Sequence, residues 1–341
     1  MRVLVTGHKG FIGTVMVPML QSEGFDVIGL DSDLYRNSTY GDPPAAVPEL
    51  IKDVRDVEPD DLKGIDAVIH LAGLSNDMLG DLNPTLTYEI NHLASVRLAE
   101  MARDVGVSRY LFASSCSNYG AAGDAALDEG AEFNPVTPYA ISKVRVEADV
   151  CQMATDSFSP VFLRNATAYG MSPRIRFDVV LNNLTAWAYT TGSVHMKSDG
   201  SPWRPIVHIE DISRACVATL RAPMDKIHNQ AFNVGRSSEN YQIRELANFV
   251  KETVPDCEIG FAEGAGIDKR NYRVSFAKYE ETLADYPLQW DARQGVRDIY
   301  ASYKRIGLQK DDYEGPKYKR IAQLQNLLDT GQLDDSLRWR A

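Results

Sequence analysis

Short apolar runs alternate with longer stretches of helical periodicity through the first half of the chain. "RVLVTG" starts at residue 2 as a buried strand, and "DVIGLD", "IDAVIHLAG" and "RYLFASS" repeat the type. Between the first two, "FIGTVMVPMLQSEG" carries Ile12, Val15, Met16, Met19 and Leu20 on one helical face and stops at Gly24. "TYEINHLASVRLAEMARDVG" reads as one helix, and "YAISKVRVEADVCQMA" as another before the strand "PVFLRNATAYG". Continuous apolar strands joined through helices predict an α/β fold, a doubly wound parallel sheet covered on both faces.

The rhythm breaks near residue 170. "MSPRIRFD", "KSDGSPWRP" and "EGAGIDKRNYR" are polar loops rich in Gly, Pro and Arg, with helices at "DISRACVATLRA" and "NYQIRELANFVKETV" between them. The expected organisation is a nucleotide-binding domain over 1–170, with segments returning from about 205–240. Residues 171–341 then form a smaller C-terminal substrate-binding lobe and a helical tail. In the tail, Ile321, Leu324, Leu327 and Leu328 stand at helical spacing and predict packing on the body or on a partner subunit.

Composition narrows the function class. The 341 residues are 44% hydrophobic and 24% charged, as in an ordinary globular protein. A formal charge of -11 argues against nucleic acid or an anionic membrane as partner, but leaves room for a small anion held by local arginines. Cys116, Cys151, Cys216 and Cys257 form no C-x-x-C pair, so neither a metal site nor a disulfide framework is expected. No targeting segment or membrane-length apolar run is read, and a cytoplasmic setting is expected.

The first strand runs into "TGHKGFIG", with Gly7, Gly10 and Gly13 spaced G-x-x-G-x-x-G before a helix. A pyrophosphate needs a tight backbone turn and a helix N-terminus, and this placement supplies both. A turn without ligand would use glycine too, but the strand-to-helix setting favours a Rossmann-type dinucleotide site. Asp31 ends the second strand 18 residues after Gly13, close to the roughly 20 expected for a ribose-binding carboxylate. It favours NAD over NADP, with Arg36 nearby as the counter-indication. "KDVRD" puts Asp53 and Val54 after a possible third strand, where an adenine edge would lie.

"YAISK" places Tyr139 and Lys143 at i and i+4, on one helical face. A free phenol ionises near pH 10, and a nearby cation favours the phenolate. Tyr139 would then take a proton from a sugar or alcohol hydroxyl. A surface Tyr/Lys pair is the bland alternative. "SSCSNYG" ends a strand at the carboxyl edge, where doubly wound proteins bind ligands. Ser115 is read as positioning the same substrate oxygen. Ser117 and Cys116 either line a sugar pocket or serve as a cap and a buried filler.

Together Gly7, Gly10, Gly13, Asp31, "HLAG", "SSCSNYG", "YAISK", "LRNATAYG", "RPIVHIEDI" and "FNVG" resemble the extended short-chain dehydrogenase/reductases, in particular the nucleotide-sugar epimerase/dehydratase family. The resemblance implies a catalytic trio of Ser115, Tyr139 and Lys143. It implies that Gly7, Gly10, Phe11, Ile12, Gly13, Asp31, Asp53, Val54, Leu71, Ala72, Gly73, Tyr139 and Lys143 hold NAD, with Asn91 supporting the lysine through water. Arg204 and Arg270 would clamp the substrate diphosphate, and Ser75, Asn76, Thr167, Asn182 and Asn183 would contact sugar or nucleotide. No metal is implied, and two copies of the chain would pair through a four-helix interface.

Departures sharpen the expectation. Cys116 and Ser117 stand where related dehydratases carry an Asp-Glu pair, Thr167 replaces the usual substrate Asn, and Asn165 lies two residues earlier. Cys116 could also act as an acid or base at a neighbouring sugar carbon. Arg174 and Arg176 fall near the proposed mouth. The function expected is an NAD-dependent epimerase of a nucleoside-diphosphate sugar, at C4 through a transient 4-keto species. A 4-ketosugar reductase and a non-catalytic NAD sensor are the alternatives.

Overall fold

In the computed structural model, which describes residues 1–120, 125–266 and 271–340, seven strands form one parallel sheet. They are β1 (Arg2–Thr6), β2 (Asp26–Asp31), β3 (Glu49–Ile51), β4 (Ala67–His70), β5 (Arg109–Ser115), β6 (Ser159–Asn165) and β7 (Gln230–Val234). Their order in space is β7-β6-β5-β4-β1-β2-β3. The order reverses at β1, which pairs with β4 on one side (Val3 with Ala67) and β2 on the other (Arg2 with Asp26), so a crevice opens at the carboxyl ends of β1 and β4.

Burial on both faces follows from strand alternation. Val3 and Val5 of β1 enter one apolar cluster and Leu4 the other. Leu111 and Tyr110 of β5, and Val161 and Phe162 of β6, divide the same way. Helix Gly13–Ser22 packs Met16, Val17 and Leu20 onto the first cluster. Its close approach to the sheet requires Gly13, whose Cβ would stand 2.4 Å from Gly7 O.

The stretch read as one helix over 87–106 is interrupted. Pro84–Thr87 leads into a π-helical turn at Tyr88–Leu93, and the α-helix proper is Ala94–Asp104. The wider turn rotates Asn91 inward and buries it.

A second lobe has its own core, built around Tyr169, Phe177, Leu181, Leu246, Val296 and Tyr303. Two small sheets shape it: Thr167–Tyr169 with Trp203–His208 and Asn240–Gln242, and Ser193–Ser198 with Glu258–Gly266. Helix Ile209–Arg221 leads back to the main sheet. His208 caps it by accepting Glu210 N–H at 3.2 Å, and stacks on Trp290 at 3.9 Å.

The tail differs from the helix expected. It is helical only over Arg320–Asp329, then turns back so that Leu333 bridges Trp339. Leu324, Leu327, Leu333 and Leu337 pack with Leu30 and Val54 beside the main sheet, not in the second lobe. Among the described residues, no helix is long and apolar enough to cross a membrane, and no cluster of His, Cys, Asp or Glu could hold a metal.

Candidate active site

The crevice encloses about 1090 Å³, its open mouth included, between the glycine turn, the ends of β2 and β4, and the second lobe. Gly7 takes φ +73°, and a Cβ there would meet Ala72 N at 2.8 Å. The turn is closed by Gly10 N–H donating to Gly7 O at 2.9 Å. The N–H groups of Phe11 and Ile12, just ahead of helix Gly13–Ser22, make no hydrogen bond among the described residues. Gly10 faces the cleft with only Gly7 O near its Cβ position. Free donors beside a bare backbone fit a pyrophosphate.

Asp31 ends β2 and accepts Lys9 N–H at 3.0 Å and Asp33 N–H at 2.8 Å. A carboxylate has about four acceptor sites, so capacity for ribose hydroxyls remains. Burial pushes its pKa up, against the backbone donors and the charge of His8. Asp53, Val54, Leu71, Ala72 and Gly73 complete this wall. Asp53 is also held by Arg55 at 2.7 Å.

Tyr139 stands on helix Pro138–Val150, which Thr137 caps by accepting Ala140 N–H at 3.2 Å. The Ser115 hydroxyl acts on its phenol and favours the phenolate. Ser117 donates to the same Ser115 oxygen from its hydroxyl at 2.9 Å and its N–H at 3.1 Å. Burial raises the phenol's pKa. Ser115 and the charge of Arg176 oppose it. Lys143 Nζ lies 5.8 Å from the Tyr139 ring centroid and 4.4 Å from that of Phe112. It donates to Ala113 O at 2.7 Å. Burial brings its pKa down to about 8, opposed by Glu147 one turn on.

Beneath this face Glu147 accepts Arg164 Nη2 at 2.7 Å, and both side chains are buried. Ser114 and Asn118 donate to the same carboxylate, and Arg164 donates to Tyr119 OH at 3.0 Å.

Several expected contacts fall elsewhere. Cys116 is fully buried in the apolar core, its thiol 3.1 Å from Arg164 O, and burial drives its pKa far up. It neither lines a sugar pocket nor offers a usable acid or base. Asn91 spends its amide on Leu74, accepting the N–H at 2.7 Å and donating to the carbonyl at 3.0 Å. It shapes the "HLAG" loop and makes no direct hydrogen bond to Lys143. Asn182 is fully buried and bonds Gly170 in both directions, at 2.8 and 3.0 Å, so it joins backbone to backbone and not to a ligand. Asn183 donates to Phe177 O at 2.9 Å.

Asn76 caps helix Asp77–Leu82 and donates to Asp178. Ser75 lines the cleft and accepts Arg176 Nη1 at 3.1 Å. Thr167 pairs with Ile206 in the small sheet. Asn165, opposite Ser115 in register, keeps a buried Oδ1 without a partner. Arg204 is buried, donates to Trp203 O at 2.8 Å and lies 5.7 Å over the Tyr272 ring. Arg270 lies outside the described residues.

Sequence reading missed several cleft residues, among them Lys9, Tyr35, Arg320 and Leu337. Lys9 had a signal, since it lies inside the glycine turn. Arg320 and Leu337 had none, because nothing local to the tail says which surface it covers. Arg176, noted only as near the mouth, enters the cleft paired with Asp178 at 2.6 Å.

The model of the NAD dependent epimerase/dehydratase family matches residues 3–235. A putative UDP-glucose 4-epimerase of Methanocaldococcus jannaschii is 28% identical over 316 residues, 87% of this chain and 96% of that one. The UDP-glucose 4-epimerase of Mus musculus is 26% identical over 86% of this chain and 93% of its own. Among solved structures, MoeE5 in complex with UDP-glucuronic acid and NAD superposes with a TM-score of 0.77 at 26% identity, covering 89% of this chain and 99% of the other.

Proposed function

The chain belongs to the NAD-dependent epimerase/dehydratase family, and from that premise we propose that it epimerises a nucleoside-diphosphate sugar at C4. What supports this reading is the grouping of the Tyr139, Ser115 and Ser117 hydroxyls beyond the carboxyl end of β5, with Arg176 of the cleft acting on the phenol and Cys116 turned into the core. Eliminating water from the sugar would need an acid/base pair after Ser115, and a buried thiol and a serine do not supply one.

The glycine turn, the free Phe11 and Ile12 donors and Asp31 would hold NAD. When bound, the dinucleotide supplies the hydride acceptor and donor that convert the C4 alcohol to a transient ketone and back. Tyr139 Oη takes the C4 hydroxyl proton and later returns it. Ser115 Oγ donates to the same sugar oxygen, and Ser117 keeps Ser115 oriented. Lys143, fixed by Ala113 O, adds positive charge on the tyrosine's side. Arg176 adds more from across the cleft. No net redox change results, so cofactor is not consumed. The nucleotide-sugar names carried by the relatives support the substrate class.

The test is a panel of nucleoside-diphosphate sugars followed by product chromatography. Interconverted C4 epimers, without net change at 340 nm, are expected. Tyr139→Phe should lower kcat by about 10²–10⁴ while retaining cofactor. Steady consumption of reduced cofactor on a 4-keto sugar, with no epimer formed, would overturn the reading.

A further inference from the structure

The tail reaches the cofactor cleft itself. Beyond helix Arg320–Asp329 it is tied to the segments after β2 and β3. Trp339 Nε1 donates to Ser32 O at 2.7 Å, Arg55 Nη2 donates to Ser336 O at 2.8 Å, and Arg338 Nη2 meets Asp56 Oδ1 at 2.9 Å. Two tail side chains, Arg320 and Leu337, form part of the cleft wall together with Gly7, Phe11 and Asp31.

Arg320 is only 4% exposed. Its guanidinium lies 3.8 Å over the Tyr35 ring, and Nη2 donates to Arg174 O at 2.8 Å. Nη1 is buried with no hydrogen-bond partner, and Arg320 makes no ion pair among the described residues. Asp178, the acid near it, is already gripped by Arg176 through both carboxylate oxygens. Burial and the neighbouring Arg176 and Arg174 charges bring the Arg320 pKa down to about 10, with Tyr35 and Asp178 opposing. A buried cation with an open donor is costly unless an anion completes it. The dinucleotide's own anion is its pyrophosphate, and guanidinium geometry suits phosphate oxygens.

Resting on the dinucleotide reading of the cleft, we propose that Arg320 is a phosphate ligand for the cofactor and that residues 320–340 are its latch. Arg320 Nη1 donates to the pyrophosphate that the glycine turn also receives. Leu337, packed with Val54, closes the adenine end. Cofactor leaves only when the tail lifts, so release is slow and coupled to local detachment of this segment.

Calorimetric titration of cofactor-stripped full-length protein with NAD, ADP-ribose and adenosine tests this. Arg320→Gln shortens the side chain, removes its charge and leaves a polar amide. It should weaken NAD and ADP-ribose about tenfold to hundredfold and leave adenosine within twofold, with Arg320→Lys recovering part of the loss. On wild type, NAD should slow amide exchange around Arg320 far more than adenosine does, a readout that does not depend on any variant folding. Unchanged NAD affinity in a folded Arg320→Gln, equal weakening of adenosine, or tail exchange indifferent to NAD would each overturn the latch while leaving the epimerase reading intact. A wild-type protein that binds no dinucleotide would sink both.

Discussion

At Tyr139, burial and charge pull the phenolic proton in opposite directions. Burial favours the neutral phenol, while Ser115 and Arg176 favour the phenolate that the chemistry needs. The cation opposing burial is therefore a residue of the second lobe, 37 positions further along the chain, as well as any charge the bound cofactor brings. Arg176→Gln removes it. The phenol then ionises at higher pH, and the acid limb of the kcat/KM profile should move to higher pH. A limb that stays in place would show that Arg176 does not act on Tyr139. Cys116 is the opposite lesson, since a thiol adjacent in sequence to Ser115 is kept from the site because its side chain enters the core.

At the scale of elements, helix Pro138–Val150 presents Tyr139, Lys143 and Glu147 at four-residue steps on one side. The first two face the cleft end of β5, and the third is buried against Arg164 of β6. Leaving Arg164 uncompensated in that setting costs roughly 3–5 kcal/mol. Glu147→Gln should lower unfolding free energy by that order in urea titrations. Because Glu147 raises the Lys143 pKa, which stands at about 8, the same variant should move any lysine-dependent alkaline limb to lower pH. A variant as stable as wild type would mean the pair is replaceable by neutral hydrogen bonds. The π-helical turn at Tyr88–Leu93 acts similarly at a distance. It aims Asn91 at Leu74, so the loop after β4 keeps its shape beside the cleft.

For the whole molecule, two buried histidines set the acid side of stability. His70 bridges Thr6 at 2.6 Å and Ser95 at 2.8 Å under the sheet, and His208 caps a helix under Trp290. Burial lowers both from 6.5 to about 3. Between those values the unfolded chain binds protons that the folded chain does not. Their contribution is thus complete above pH 6.5 and declines as pH falls toward 3, by up to about 1.4 kcal/mol per pH unit for each. Urea midpoints at pH 7, 6 and 5 should fall accordingly, and His208→Gln should flatten the slope. A midpoint independent of pH in this range would refute the assignment.

Much of this protein was already legible in its residue spacings. The glycine turn, Asp31, the Tyr139–Lys143 step and the alternation of apolar strands with helices are patterns within one element or across one turn. Backbone sterics and helical periodicity constrain them before any tertiary contact forms. Other features were decided only when distant segments met: Arg176 across from Tyr139, Asn91 and Asn182 consumed by backbone groups, Cys116 turned inward, and the tail laid against the cofactor cleft. Polar partners and the occupant of a buried face depend on which surfaces remain after the core has packed, and no local pattern in the chain encodes that remainder.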